Sequence, residues 1–317
     1  MTNSPTLSRR NFCLCCLASL TTAYVSPRQA FAAARNIVDS LKESAGLAEI
    51  TTYKLRNNVA LLEGSGGNIA VYCGRDGKVL IDAGISASRP RLSQALADLG
   101  SQPVANLINT HWHFDHTDGN QWLHSEGANI IAHENTTRHL RSAQRVDDWD
   151  FNFPPSPQGA VPATSINMDT VVELAGTRMA IACFAPAHTD SDVSVHLEDA
   201  NVLHVADVYW NGLYPFIDYS TGGSIDGTIA ATEKIIATVD ADTIIVPGHG
   251  HPVSNLGELK QYREMLVTIR ANVASLKAKG LSADQVADAR PTAAFDDKWG
   301  KAIISPAFFT RLVYKGV

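Results

Sequence analysis

Within the six residues from His111 to His116, the run Thr110-His111-Trp112-His113-Phe114-Asp115-His116 places three imidazoles and one carboxylate. These groups bind zinc-class divalent cations, and a fold that gathers four of them in one loop must arrange the surrounding chain so that they converge. The stretch reads as a metal site. It is reached directly from residues 104–108, a short apolar run with the composition of a buried strand, so the ligands are expected where a strand ends.

Around this loop the chain alternates short strands and helices. Residues 59–62, 69–73 and 78–81 are rich in apolar and β-branched side chains, and Gly64-Ser65-Gly66-Gly67 and Arg75-Asp76-Gly77 separate them as hairpin turns. The glycine-rich turn opens no helix, which argues against a phosphate cradle and for a hairpin flap over the site. Residues 91–99 have helical spacing and stop at Gly100. In the second half, strands are expected at 170–174, 178–184, 193–197, 202–205 and 243–246, with a helix at 225–239. A long helix over 256–279 ends at Gly280, and Ser282 to Gln285 forms a capping box for another. Two β-rich halves, each closed by helices, point to two sheets packed face to face with helices outside. With 317 residues, 45% apolar and 18% charged, there is ample material for such a core, and disorder is excluded.

Three further ligand-type residues each follow an expected strand: His188 in Ala187-His188-Thr189-Asp190, Asp207 in His204-Val205-Ala206-Asp207, and His249 in Pro247-Gly248-His249-Gly250. Strand ends on one sheet edge can converge, so seven ligands could meet there. The remaining histidines, His124, His133, His139, His196, His204 and His251, lie in no second cluster of ligand spacing and are read as surface or core residues, with His251 the best placed to support a ligand. Trp112, Tyr209, Trp210, Tyr214 and Phe216 are candidates either for a substrate pocket or for packing. The stretches 147–162 and 209–223 are long, carry Pro and Gly, and are expected to be functional loops.

His111-x-His113-x-Asp115-His116, followed in order by His188, Asp207 and His249, resembles the metallo-β-lactamase superfamily of binuclear metallohydrolases. The resemblance covers about residues 50–250 and includes Leu80-Ile81-Asp82-Ala83-Gly84, where the family carries an aspartate behind the ligands. It implies an α/β (α+β) fold, a four-layer αββα sandwich with the metals at one edge of the sheets. It also implies that His111, His113 and His188 hold one metal, that Asp115, His116 and His249 hold the other, and that Asp207 bridges them. Asp82 would fix the His-rich loop through hydrogen bonds, and Asp115 would orient the nucleophile or shuttle its proton. The expected cofactor is Zn2+, two per chain, with Fe or Mn as alternatives. The implied activity is hydrolysis of a β-lactam, lactone, ester or thioester by a hydroxide bridging the two ions. One β-lactamase subclass has Cys at the place of Asp207 and, three residues on, a Lys that grips the drug's carboxylate; here Trp210 stands at that later position. The same scaffold also supports redox enzymes, as persulfide dioxygenases or diiron proteins, and a metal-binding protein without turnover is a third reading.

The first 32 residues are read as a twin-arginine signal peptide: Ser8-Arg9-Arg10-Asn11-Phe12, an apolar stretch to Val25, and Ala30-Phe31-Ala32 as cleavage site. That apolar stretch is too short for a stable span, so no membrane anchor is expected. Residues 33–317 are expected to form a single domain, its core at 50–250 and a C-terminal helical cap at 255–317. Removing the signal takes away three arginines and no acids, leaving 23 basic against 32 acidic residues, a net charge of −9. An acidic export product is a poor partner for nucleic acid. The partners expected are a small-molecule acyl substrate and the Tat export machinery, and the location periplasmic. Cys73 and Cys183 remain after cleavage, either paired or as buried thiols.

Overall fold

The computed structural model describes residues 37–184 and 186–317; the expected export signal, its cleavage site and Cys13, Cys15 and Cys16 lie outside the described residues. After helix α1 (Ile37–Leu47), strands β1 (Thr51–Lys54), β2 (Val59–Glu63), β3 (Ile69–Gly74) and β4 (Gly77–Ile81) form an antiparallel meander. Helix α2 (Arg89–Asp98) then crosses to β5 (Val104–Asn109), which lies parallel to β4. Two short helices, α3 (Phe114–Thr117) and α4 (Asn120–Ser125), lead to β6 (Asn129–His133) and helix α5 (Glu134–Arg141). A two-stranded ribbon, β7 (Gln144–Val146) with β8 (Phe151–Phe153), precedes β9 (Thr164–Ile166), which completes a seven-stranded sheet in the order β1-β2-β3-β4-β5-β6-β9.

The second sheet has five strands: β10 (Thr170–Leu174), β11 (Thr177–Phe184), β12 (Asp192–Leu197), β13 (Val202–Asn211) and, after helix α6 (Ile225–Thr238), β14 (Ile244–Gly250). Helices α7 (Leu256–Ala278), α8 (Ala283–Asp288), α9 (Asp296–Trp299) and α10 (Pro306–Gly316) follow. The expected capping box is present at Ser282 and Gln285, and Gly280, at φ +84°, follows the end of α7. Among the described residues, no helix is long and apolar enough to cross a membrane.

Strand alternation builds the layers. In the first sheet Leu61, Ala70, Val79, Ile81 and Ile108 face Met179, Ile181, Val193, Val195 and Val246 of the second, while Leu62, Val71, Leu80 and Leu107 point the other way onto Leu92 and Leu96 of α2 and Leu123 of α4. The far side of the second sheet, with Leu203 and Val205, packs under Ile235 of α6, Leu259, Tyr262 and Leu266 of α7, and Phe309 and Val313 of α10. The result is helix, sheet, sheet, helix, the αββα order.

Several elements differ from the sequence reading. Strand β13 runs ten residues rather than four, because it continues through Asp207 with register shifts between His204 and Ala206 and between Ala206 and Trp210, and every residue in it is buried. The carboxylate interrupts the apolar run in sequence but not in space. Helix α5, Glu-Asn-Thr-Thr-Arg-His-Leu-Arg, has too little apolar content to read as a helix; it begins where the His133 side chain accepts a hydrogen bond from Asn135 N. The stretch 147–162 is partly ordered as the β7–β8 ribbon, and the start of 209–223 belongs to β13. Cys73 lies in the first sheet and Cys183 in the second; both are free, half-buried thiols, and burial pushes both up, Cys183 to about 11.

Candidate metal centre

Strand β4 delivers Asp82 to the edge of the first sheet, where its backbone takes the left-handed region at φ +69°. A non-glycine residue tolerates this conformation only when its surroundings hold it there. Here they do. Asp82 N donates to Ile108 O (2.8 Å), Oδ1 accepts from Thr110 N (2.8 Å), and Oδ2 accepts from Thr110 Oγ1 (2.8 Å) and His116 Nδ1 (2.7 Å). The fully buried carboxylate therefore fastens both ends of the His-rich loop, which leaves β5 and turns into α3.

Each imidazole of the loop has one nitrogen engaged away from the centre. His116 Nδ1 donates to Asp82, His113 Nε2 donates to Asp218 Oδ2 (3.0 Å), and His111 Nδ1 lies 3.1 Å from Thr110 Oγ1, whose own hydrogen goes to Asp82. From the second sheet His188 adopts the same arrangement, with Nδ1 donating to Phe216 O (2.8 Å). Fixing the outer nitrogen as donor leaves the inner nitrogen with its lone pair, as ligation requires.

The inner atoms meet. His113 Nδ1 and His188 Nε2 are 2.9 Å apart, His116 Nε2 lies 3.1 Å from Asp207 Oδ1, and His249 Nε2 lies 3.2 Å from Asp115 Oδ2 and 3.3 Å from Asp207 Oδ2. Two groups result, His111, His113, His188 and Asp207 in one, Asp115, His116 and His249 in the other, with the ligand atoms of each group all within 4.8 Å of one another. Asp207 reaches both groups, since its two oxygens approach His188 at 3.5 Å as well as His116 and His249. The seven residues named from the sequence are thus brought together.

Cation binding fits the donor set. His111 Nε2 is buried without a hydrogen-bond partner, and His116 Nε2 and Asp207 Oδ1 face only each other, at 3.1 Å, a costly condition that a cation relieves. Charge is distributed unevenly. Burial pushes His111 well below the ordinary histidine range and His188 down to about 4, so both rings are neutral. Burial also opposes charge on His116 and His249, but the carboxylates of Asp115 and Asp207, with Asp82 for His116, outweigh it and raise His116 well above its usual value and His249 to about 9. Burial alone would raise Asp115, yet His116 and His249 bring it down to about 2. Without a cation, protons on His116 and His249 balance these carboxylates, and a divalent ion would displace them and free the inner nitrogens.

The sequence match extends over residues 62–274, to the family described as the metallo-beta-lactamase superfamily. The chain belongs to the metallo-beta-lactamase superfamily. Solved structures show the same fold at low identity. The stereoselective inverting sec-alkylsulfatase Pisa1 from Pseudomonas sp. superposes with a TM-score of 0.63 at 16% identity, over 87% of this chain and 51% of that one. The metallo-beta-lactamase from Pontibacter korlensis gives 0.54 at 18% identity, over 69% and 99%, and the DIM-1 metallo-beta-lactamase 0.55 at 17%, over 69% and 98%. The chain spans about half the length of the alkylsulfatase it matches.

Two features of this superfamily member were not read from its sequence. Asp218 is fully buried, holds His113 from behind, and is itself held by Ser220 N (2.9 Å) and Thr221 Oγ1 (2.6 Å), while its own N donates to His188 O (2.9 Å). It lies in an irregular loop, so no periodicity marks it. The second is glycine: a Cβ on Gly67 would fall 2.2 Å from His116 Cε1, and one on Gly248 would fall 2.0 Å from Asp207 Oδ1. Both glycines lie in motifs visible in the sequence, and close approach to a ligand is their function.

The other candidates divide. His139 Nε2 donates to Asp190 Oδ1 (2.7 Å) and its Nδ1 lies 3.1 Å from Gln144 Oε1, and His204 Nε2 lies 3.0 Å from Asn68 O; neither residue belongs to the ligand groups. Tyr209 and Tyr214 are core packing residues, their rings 4.8 Å from Tyr262 and 4.7 Å from Phe309. Trp112, Trp210 and Phe216 do border the ligands, at 4.8 Å from His113, 4.3 Å from His249 and 6.0 Å from His188. The hairpin turn lies over the second group, where Gly67 N donates to Asp115 O (3.3 Å).

Proposed function

We propose that this protein is a metal-dependent hydrolase that opens a carbonyl compound, a β-lactam, lactone, ester or thioester, with water activated by two zinc ions. The observation that carries the reading is the convergence of inner imidazole nitrogens and carboxylate oxygens around one centre, with His111, His113, His116 and His188 each braced from outside. His111, His113 and His188 would hold one ion and Asp115, His116 and His249 the other, with Asp207 between them; iron or manganese suits the same donors less specifically. When bound, such a pair lowers the pKa of water toward neutrality and polarises the substrate's oxygen.

The chain's own residues supply the rest. Asp115 and His249 are the members of the cluster that reach solvent, at 14% and 19% side-chain exposure, so substrate approaches from their side. Asp115 Oδ2, 3.2 Å from His249 Nε2, is placed to orient the attacking water and to carry its proton to the leaving group. Asp82 and Asp218 keep the imidazoles aligned through the reaction. Neighbours whose names include alkylsulfatase and beta-lactamase share the fold, and the fold does not choose among substrates. A periplasmic setting, reached by twin-arginine export in the folded, metal-loaded state, suits the N-terminal sequence pattern.

The test is a hydrolysis screen on zinc-loaded protein with β-lactams, acyl-homoserine lactones, aryl esters, thioesters and alkyl sulfates, with and without exhaustive chelation. Turnover of a carbonyl substrate that chelation abolishes and zinc restores supports the reading. Turnover that survives chelation, or purified protein holding iron and showing redox activity instead, overturns it.

A further inference from the structure

We propose, resting on the two-metal reading above, that Lys315 in the last turn of α10 is a positioning residue for the first ligand group: it latches the tip of the β7–β8 ribbon, and the latched tip holds the ring of His113 in its ligating plane. The tip is formed by residues 147–149. Lys315 Nζ donates to Asp148 Oδ1 (2.5 Å). That carboxylate is only 12% exposed, its Oδ2 is buried without a partner, and among the described residues Lys315 is the one group that hydrogen-bonds it. The next residue, Trp149, is half-buried, its ring stacked 4.8 Å from Phe216 and lying 5.7 Å from His113. On the preceding residue, Asp147 N donates to Ser220 Oγ (2.9 Å), and Ser220 N donates to Asp218 Oδ1 (2.9 Å), whose other oxygen accepts from His113. The tip therefore reaches the first group twice, by a ring contact and through Asp218.

His113 has need of both. Its bond from Nε2 to Asp218 fixes one point of the imidazole and leaves the ring free to turn about that point. The lone pair on Nδ1 lies in the ring plane, so ligation requires the plane to be set as well. Ring contacts set it: Trp112 from the same loop, at 4.8 Å and 70°, and Trp149 from the ribbon, at 5.7 Å and 39°. The second group is held differently. Among the described residues no ring of the ribbon meets His116 or His249, whose ring neighbours are His111, Trp210 and each other. Phe114, beside Asp115, lies 6.2 Å from Trp149 but is also stacked on Phe153 at 5.7 Å, away from the tip. Without Lys315, Asp148 is a largely buried carboxylate lacking its cation, a condition relieved when the tip swings out into water and takes Trp149 with it.

The experiment is zinc competition against a chromophoric chelator on the full chain, the step lost in His188→Ala being that of the first group. We expect Lys315→Met to weaken this step about fivefold and the other less than about twofold, while amide hydrogen exchange rises over residues 144–153. Lys315→Arg should behave as wild type. Adding Asp148→Asn to Lys315→Met should recover most of the loss, because no charge then drives the tip outward, a rescue that a lysine with a merely structural role would not show. Trp149→Ala should weaken the first step to the same extent, and Lys315→Met should add nothing further to it. An unchanged first step in Lys315→Met, equal weakening of both steps, or additive losses with Trp149→Ala overturns the assignment while leaving the two-metal reading intact. Wild-type protein that binds neither zinc nor manganese refutes that reading, and this assignment with it.

Discussion

Asp218→Asn is the sharpest probe of how the ligands are held. In the wild type Oδ2 accepts from His113 Nε2 and Thr221 Oγ1 while Oδ1 accepts from Ser220 N, three donors aimed at one buried carboxylate. Asparagine has a single acceptor oxygen. Turning it toward His113 and Thr221 sets its NH2 against Ser220 N–H, and the opposite orientation opposes two donors instead. Leaving one buried donor unmatched costs about 1–3 kcal/mol, and the bond to His113 also loses its charge assistance. Part of that cost falls on the folded state and part on the orientation of His113, so we expect about 10–100-fold weaker binding of the first cation. The measurement is zinc competition against a chromophoric chelator, with the step assigned to Asp115, His116 and His249 as internal control, because Asp218 is hydrogen-bonded to none of them. If both steps stay within about twofold of wild type in a folded variant, the bracing argument is wrong. Equal weakening of both steps would show general loosening instead.

Other consequences can be checked alongside. His111→Ala should leave a folded protein without hydrolytic activity, assessed by circular dichroism and turnover, since the ring contributes a bare nitrogen to the cluster and little else. Gly67→Ala should displace His116, because its Cβ would come within 2.2 Å of the ring; elemental analysis should then find bound zinc falling from about two ions per chain toward one. In the metal-free protein, His249 has a folded pKa near 9 against an ordinary 6.5, because Asp207 and Asp115 overcome the effect of burial. Its contribution to stability is complete below pH 6.5 and lost as pH rises through 9, so calorimetry should show the metal-free melting temperature declining across that window and zinc removing the decline. Asp115, near 2 instead of 3.8, acts in the opposite sense: its contribution is present above 3.8 and lost as pH falls through 2.

The sequence disclosed the centre more fully than its supports. His111 to His116 are legible because ligands are crowded into one turn, and His188, Asp207 and His249 because each ends an apolar run that reads as a strand. Strands whose faces are both buried were legible for the same reason. Asp218 and Trp149 were not, since a buried carboxylate in an irregular loop and an aromatic ring on a ribbon carry no period, and only the folded chain shows what they touch. Helix α5 was hidden by its polar composition; its Asn135 and His139 side chains reach the His188 loop through Asp190. The length of β13 was hidden by the carboxylate inside it. In both cases tertiary contacts override the local signal.

Tyr209, two residues beyond Asp207, hydrogen-bonds through its hydroxyl to Asn211 Oδ1 (2.8 Å) and Ser254 Oγ (3.0 Å) and rests against Tyr262 of α7. The long helix therefore serves as an abutment for the strand that presents Asp207. A fragment ending at Gly250 would contain every proposed ligand and still lack the buttress that keeps Asp207 in line, so the smallest unit worth engineering from this scaffold extends through its last helices.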